Sequence, residues 1–205
     1  VYVSRKSTLV PSRVGVVSET LIEGVYNYVE SVLEDRDLAR KFYPIIMSIF
    51  VFVLLLNWIQ FIPGVGSLGF FHGEKFEPLL RGATTDLNLT LAIALVAFLT
   101  IEIAGLSKLG VFGYLGKFFN FSSPINFAVG IIDLFSELAR LISFSFRLFG
   151  NIFAGEVIIA VLIFFLPILL PVPFIGFELF VGFIQAAIFA LLTLFFIKIA
   201  VTAHH

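Results

Sequence analysis

The chain has 205 residues, 60% of them hydrophobic and only 13% charged, and its aromatics are dominated by 27 Phe against 5 Tyr and 1 Trp. Soluble domains carry about 25% charged residues, so this composition, with a mean hydropathy of +1.08, excludes a soluble core and reads as an integral membrane protein. The formal net charge of −1 offers no basic field to nucleic acid, the absence of Cys excludes disulfide and iron–sulfur chemistry, and His72, His204 and His205 supply no buried pair to hold haem. No cofactor and no metal are expected.

Residues 1–41 are the mixed-charge region, with Arg5, Lys6, Arg13, Arg36, Arg40 and Lys41 against Glu19, Glu23, Glu30, Glu34, Asp35 and Asp37. From Ser18 onward Leu21, Ile22, Val25, Tyr28, Val29, Val32 and Leu33 recur at three- and four-residue intervals. That pattern predicts an amphipathic helix, N-capped by Ser18 and lying on a membrane surface. The first residue is Val1, not Met, so an unseen segment or a processing site is expected before it, and no cleavable basic leader is visible. Residues 42–62 carry no charge and are long enough to cross a ~30 Å hydrocarbon core, with Pro63-Gly64 as the terminator. Residues 63–85, Gly-rich and holding His72, Glu74, Lys75, Glu77 and Arg81, read as a loop. Residues 86–106 form the second span, opened by "TTDLNLT" and carrying Glu102 near its far end, and the Gly-punctuated stretch 107–124 reads as an interfacial connector.

Between Pro124 and Pro167 about 42 residues pass without proline, which as one helix would measure ~63 Å, twice the bilayer core. Either two spans break near Gly150–Gly155, or one helix lies strongly tilted. Two upright spans would leave Asp133, Glu137 and Arg140 facing nothing, so the tilted helix is the better reading. Pro167, Pro171 and Pro173 reverse the chain, and 125–166 with 174–203 then form a tilted hairpin. The expected fold is a single all-α integral membrane domain: an amphipathic surface helix, two upright spans and a long, strongly tilted helical hairpin. Lys and Arg concentrate in 1–41 and 107–124, while loops 63–85 and 167–173 hold only Lys75 and Arg81, so the first set is expected inside.

"FRLFGNIFAGE", residues 146–156, places Arg, Asn and Glu deep in this hydrophobic sequence. A charge at the bilayer centre costs roughly 2.5–3.5 kcal/mol on insertion scales, so something must offset it. Ser143, Arg147 and Asn151 are spaced by four, and Arg140 precedes Arg147 by seven, so the four share a stripe of one helix. Glu178 and Gln185 share a face of the last helix, with small Gly182 between them, while Glu156 faces away from Arg147. Structural roles suit other polar residues: Arg140, Lys108, Lys117 and Lys198 as snorkelling cations, Glu102 as interfacial, Asp133 and Glu137 as partners of Arg140, and Asp86 with Asn88 as a helix cap. Guanidinium never loses its proton, but it attracts a carboxylate and holds it ionised. Intramembrane carboxyls hand protons on. The arrangement that follows is an ion path interrupted by a permanent cation, itself non-catalytic.

"FRLFGNIFAGE" with "FVGFIQAAIFALLTLFFIKIA" closely resembles subunit a of F-type ATP synthases, and "SRKSTLVPS", "IEGVYNYVESVL", "NWIQFIPG" and "TTDLNLTLAIAL" follow that family in order. The resemblance covers essentially the whole chain and implies one further N-terminal span before Val1. It implies a proton-translocating stator subunit of the F0 sector, working against the c-ring and anchored to the peripheral stalk subunit b and other ATP synthase subunits in membrane lipid. Arg147 matches the arginine that separates two aqueous half-channels, Asn151 its polar neighbour, Glu156 the half-channel carboxylate, and Gln185 the glutamine facing the arginine. Glu178 stands where many bacterial members have His, while mitochondrial members often pair Glu there with His at the position of Glu156; Glu at both is a departure. Ser143 and Arg140 match inner half-channel positions, and Asp86 with Asn88 polar positions of the entry side. A bacterial plasma membrane is expected, with the mitochondrial inner membrane as the alternative. The rival classes are a stand-alone secondary transporter, in which Arg147 binds an anion and inverted repeats are expected, and a scaffold that only anchors a stalk. No such repeat is visible, and a scaffold leaves the polar stripe unexplained.

Overall fold

A computed structural model describes residues 13–62, 65, 69–72, 75–78, 82–118 and 123–202. Arg5, Lys6, the Pro63-Gly64 terminator, Glu74, Arg81, His204 and His205 lie outside the described residues. The elements in order are α1 (Arg13–Leu33), α2 (Arg36–Ile59), β1 (Gly69–His72), β2 (Lys75–Pro78), a 3-10 turn Ala83–Thr85, α3 (Leu87–Phe118), α4 (Pro124–Phe165) and α5 (Pro171–Val201). The two strands pair only with each other, as an antiparallel hairpin from Gly69↔Pro78 to His72↔Lys75. Most other described residues are helical, and among the described residues four helices are long and apolar enough to cross a membrane: Arg36–Ile59, Leu87–Val111, Pro124–Phe165 and Pro171–Val201. The chain is an all-α integral membrane protein.

Residues 1–45 and 46–205 are two compact units. In the first, α1 begins at Arg13, so Ser18 lies inside the helix rather than capping it. Glu34, at φ 54, turns the chain between α1 and α2. Asp35 then accepts from the N–H groups of Asp37 and Leu38 at 3.0 and 3.2 Å, an N-cap that starts α2 ahead of its charge-free run. Val29, Leu33, Leu38, Ala39 and Phe42 form the buried contact, while Leu21, Ile22, Val25 and Tyr28 keep the other side of α1 apolar and exposed.

In the second unit α3 is the central element. It packs on both α4 and α5, more extensively than those two neighbours in sequence pack on each other. Its inner face explains this: Thr90, Ala94, Ala97, Thr100 and Ala104 are buried and small, which lets two helix backbones approach where lipid supplies no hydrophobic drive. A Thr90–Ser145 hydroxyl contact of 3.3 Å joins α3 to α4. α3 also runs past the expected connector, to Phe118, with a break at Gly110 (φ 72, ψ 165), a conformation that suits glycine. α4 is one unbroken helix of 42 residues through Gly150 and Gly155, with Ser123 as its N-cap and Pro124 in its first turn. α5 begins at Pro171, not 174; Pro173 sits in the first turn, where a missing N–H costs nothing.

α5 is patterned inside out. Its buried side holds Glu178, Gly182, Gln185, Ala186, Ala190 and Thr193 beside the large apolar Phe189, Leu194 and Ile197, while Phe177, Phe180, Ile184, Ile188 and Phe195 face outward. The polar residues of this helix meet protein, and the side left to lipid is large and apolar. Against this stripe α2 sets Asn57, whose Nδ2 donates to Gly182 O at 3.0 Å, and Trp58, whose Nε1 donates to Leu179 O at 3.0 Å. A Cβ at Gly182 would sit 3.2 Å from Asn57 Cβ, whereas Gly176 has nothing within 4 Å. Gly182→Leu should therefore destabilise the detergent-solubilised protein by about 1–3 kcal/mol, read as a lowered thermal midpoint, and Gly176→Leu should leave that midpoint within error.

Candidate functional site

α4 carries the site. Its buried face is Gly130, Glu137, Phe144, Ser145, Leu148, Ile152 and Gly155. Arg140, Arg147 and Asn151 are half-buried along one edge of that face, Ser143 is exposed beyond the same edge, and Glu156 is exposed at the other. The polar stripe thus runs where protein gives way to the membrane-facing side. Arg147 Cζ lies 5.9 Å from the Phe144 ring centroid, a cation–π contact at the limit of its range. Arg147 Nη1, Asn151 Nδ2 and Gln185 Nε2 are buried donors with no hydrogen-bond partner among the described residues.

Toward the C-terminal half of α4 lies a carboxyl-bearing cluster. Glu178, 5% exposed, folds its carboxyl onto the backbone of Gly155: a Cβ there would fall 2.6 Å from the carboxyl carbon. The next residue, Glu156, reaches the loop that leads into α3. A Cβ at Gly82 would lie 3.1 Å from Glu156 Oε1 and 3.2 Å from Gln60 Oε1, so α2, α4 and the start of α3 converge at that glycine. Thr84 is fully buried two residues further on, and Thr84 Oγ1, Gln60 Oε1, Asn57 Oδ1 and Glu178 Oε2 all lack partners among the described residues. Asp86 and Asn88, placed here from sequence, are exposed and serve as the cap of α3: Asp86 Oδ1 accepts from Asn88 N at 2.8 Å and from its Nδ2 at 3.0 Å.

Toward the other end of α4, Arg140 donates to Glu137 Oε2 at 2.7 Å, the ion pair their i,i+3 spacing predicts. Its guanidinium stacks 4.0 Å from the centroid of the Phe196 ring of α5. Arg147 stands nine residues before Glu156 and ten after Glu137, so the helix rise puts it ~14 and ~15 Å from the two levels. One permanent cation therefore lies midway between two carboxyl-bearing levels of a single helix. Among the described residues no His, Cys, Asp or Glu cluster has metal-ligating geometry.

Buried polar atoms without partners cost about 1–3 kcal/mol each in proteins, and more in hydrocarbon. Such a row makes sense only where the groups exchange contacts with water or an arriving ion. Sequence reasoning missed Asn57, Gln60, Thr84 and Gly155. The signal was faint but present: two amides in an otherwise charge-free span, and a glycine next to the only acid of its stretch.

The model of the ATP synthase A chain family matches residues 1–198. The ATP synthase subunit a of Gloeobacter violaceus is 38% identical over 204 residues, covering 98% of this chain and 76% of that protein. The subunit a of Moorella thermoacetica is 32% identical over 201 residues, covering 98% of this chain and 83% of that protein. That of Mycobacterium tuberculosis is 38% identical over 193 residues, covering 93% and 74%.

The contact between Glu178 and Gly155 is open to a double-mutant cycle. Gly155→Ala should cost about 1–3 kcal/mol of stability in the native chain and much less in a Glu178→Ala background, a coupling of roughly 0.5–3 kcal/mol. Additive costs in thermal melts would mean that the carboxyl is not seated there.

Proposed function

The chain belongs to the ATP synthase A chain family, and from that premise we propose that it is the stator wall of the F0 sector, along which protons pass in two offset steps against the c-ring. The observation that carries the reading is the position of Arg147, midway on one helix between Glu156 with Glu178 on one side and Glu137 with Arg140 on the other. The exposed apolar side of α4 next to Arg147, with Ile142, Phe146, Phe153 and Val157, is the surface offered to the ring. Subunit b and the other ATP synthase subunits hold the chain still while the ring turns. The relatives described above are bacterial, which supports a bacterial plasma membrane over a mitochondrial one.

The mechanism follows from charge. A proton enters at the level of Gly82, where Glu156, Glu178, Gln60 and Thr84 supply exchangeable or acceptor groups that keep a polar path open. It neutralises a carboxylate of the ring, which can then leave for lipid because a neutral acid is far cheaper to bury than an ion. After nearly one turn the ring carboxyl meets Arg147 from the other side. The guanidinium cannot take the proton, since it is always charged, but it favours the ionised carboxylate and so forces release. The same cation bars direct passage of H⁺ between the two levels. Asn151 and Gln185 add donors around Arg147 that steady the transient ion pair. Each charge moved through 100 mV yields ~2.3 kcal/mol, so several protons are summed for one ATP. The bonds of ATP are made in other chains; this one supplies no nucleophile. An anion carrier built on Arg147 would have no use for carboxyls at both levels.

In vesicles carrying the whole complex, Arg147→Ala should leave ATP hydrolysis in place and abolish ATP-driven acidification; normal acidification would overturn the two-step account. Glu178→Gln keeps the shape of the seat on Gly155 and removes the exchangeable proton, so it should slow pumping by at least about tenfold and change its pH profile.

A further inference from the structure

The carboxyl seat at Gly155 has a counterpart further along the hairpin that is made of aromatic rings. Eleven residues separate Gly155 from Phe144 on α4 and Glu178 from Phe189 on α5, so the two contacts belong to one antiparallel register, ~16 Å apart. The ring centroids of Phe144 and Phe189 are 4.8 Å apart, and that of Phe196 lies 5.7 Å from Phe144. Phe144 and Phe189 are 1% and 0% exposed, and Phe196 is half-buried at the rim. A guanidinium rests on each end of the stack: Arg147 beside Phe144, and Arg140 on Phe196.

The demand for water stops at these rings. On the Gly155 side, buried polar atoms without a partner among the described residues run from Gln60 and Thr84 through Glu178 to Gln185, Asn151 and Arg147. Beyond the rings the next such atom is Oε1 of Glu102, which faces Glu137 and Arg140 and whose Oε2 accepts from the Tyr114 hydroxyl at 2.9 Å. At the stack itself the buried hydroxyls bond within the protein: Thr193 donates to Phe189 O at 2.9 Å, and Ser145 meets Thr90 at 3.3 Å. α5 shows the same switch along one face. Positions 178, 182, 185, 189, 193 and 196 share that face, which is polar or small as far as Gln185 and then carries Phe189 and Phe196. Thr193 is the one polar side chain between Gln185 and Lys198.

Core packing accounts for the burial of these rings but not for their place. A proton crosses protein along hydrogen-bonded groups or water, and aromatic rings supply neither. Space lined by them stays dry, and an ion entering it loses its hydration without compensation. The polar run that ends at Gln185 would otherwise reach the Glu137–Arg140 level through the interior of the hairpin, behind Arg147. We propose that Phe144, Phe189 and Phe196 form a dry aromatic plug that closes this interior route, so that Arg147 guards the ring-facing side of α4 and the plug guards the protein side. This rests on the translocation reading above, because a leak between the two levels has consequences only if they open to opposite aqueous sides.

The test uses the whole complex in vesicles with two readouts: decay of an imposed pH gradient without nucleotide, when the ring does not turn, and ATP-driven acidification. Phe144→Ser and Phe189→Ser put a hydroxyl where the rings meet. They should let the gradient decay about tenfold faster than in wild type and lower the acidification plateau while ATP hydrolysis continues. Phe189→Leu stays apolar and should recover most of the tightness. Phe180→Ser, on the outward side of α5, should hold the gradient as wild type does. If neither deep variant assembles, Phe196→Ser reads the same plug from its half-buried rim. Wild-type decay in the Ser variants of the stack overturns the proposal. So does an equal leak in Phe189→Leu or Phe180→Ser, which would come from loosened packing and not from wetting. Arg147→Ala run alongside separates the premise from the inference: if it pumps normally the translocation reading fails, and if it does not pump while the stack variants stay tight, only the plug fails.

Discussion

The seat of the Glu178 carboxyl on the backbone of Gly155 is the contact from which the rest of the functional face takes its position. A carboxyl at membrane depth must be held against protein, and here it occupies the space a missing Cβ leaves on α4. That contact sets the register between α4 and α5. With the register set, Gln185 falls near the level of Arg147 and Asn151, and Glu156 is turned toward Gly82 and Gln60. Gly182 does the same service on the other flank of α5, where Asn57 bonds to its carbonyl.

Lipid then decides which way each helix is turned. Water-soluble bundles turn their polar residues outward, but here α5 buries Glu178, Gln185 and Thr193 among small and large apolar residues and presents Phe and Ile outward. Association is driven by close backbone approach and hydrogen bonds, because hydrocarbon competes equally for Leu and Phe. The small inner face of α3 gives it two partners, and this puts a span read as a simple upright crossing at the centre of the second unit.

Length supplies the third element. A helix of 42 residues is a ruler, and on it three polar levels follow one another at Glu137–Arg140, Arg147–Asn151 and Gly155–Glu156. A permanent positive charge thus stands between two carboxyl-bearing levels of the same helix. The unbroken helix keeps those levels apart.

Much of this was legible along the chain. Composition and charge-free runs identify the spans, and four-residue spacing puts Arg147 and Asn151 on one stripe, because neighbours on a helix face are a matter of local geometry. The i,i+3 pair of Glu137 and Arg140 was legible for the same reason. Spacing within one helix does not say what stands opposite. Ser143 belongs to the stripe by spacing yet is exposed, and Ser18, which looked like a cap, lies inside α1 because Arg13 starts that helix earlier. The single helix through Gly150 and Gly155, the start of α5 at Pro171, the meeting of Gln60 with Glu156 and the return of Tyr114 to Glu102 were all tertiary decisions. Each depends on which backbone comes within reach of a glycine, and that distance is a property of packed helices, not of residue order.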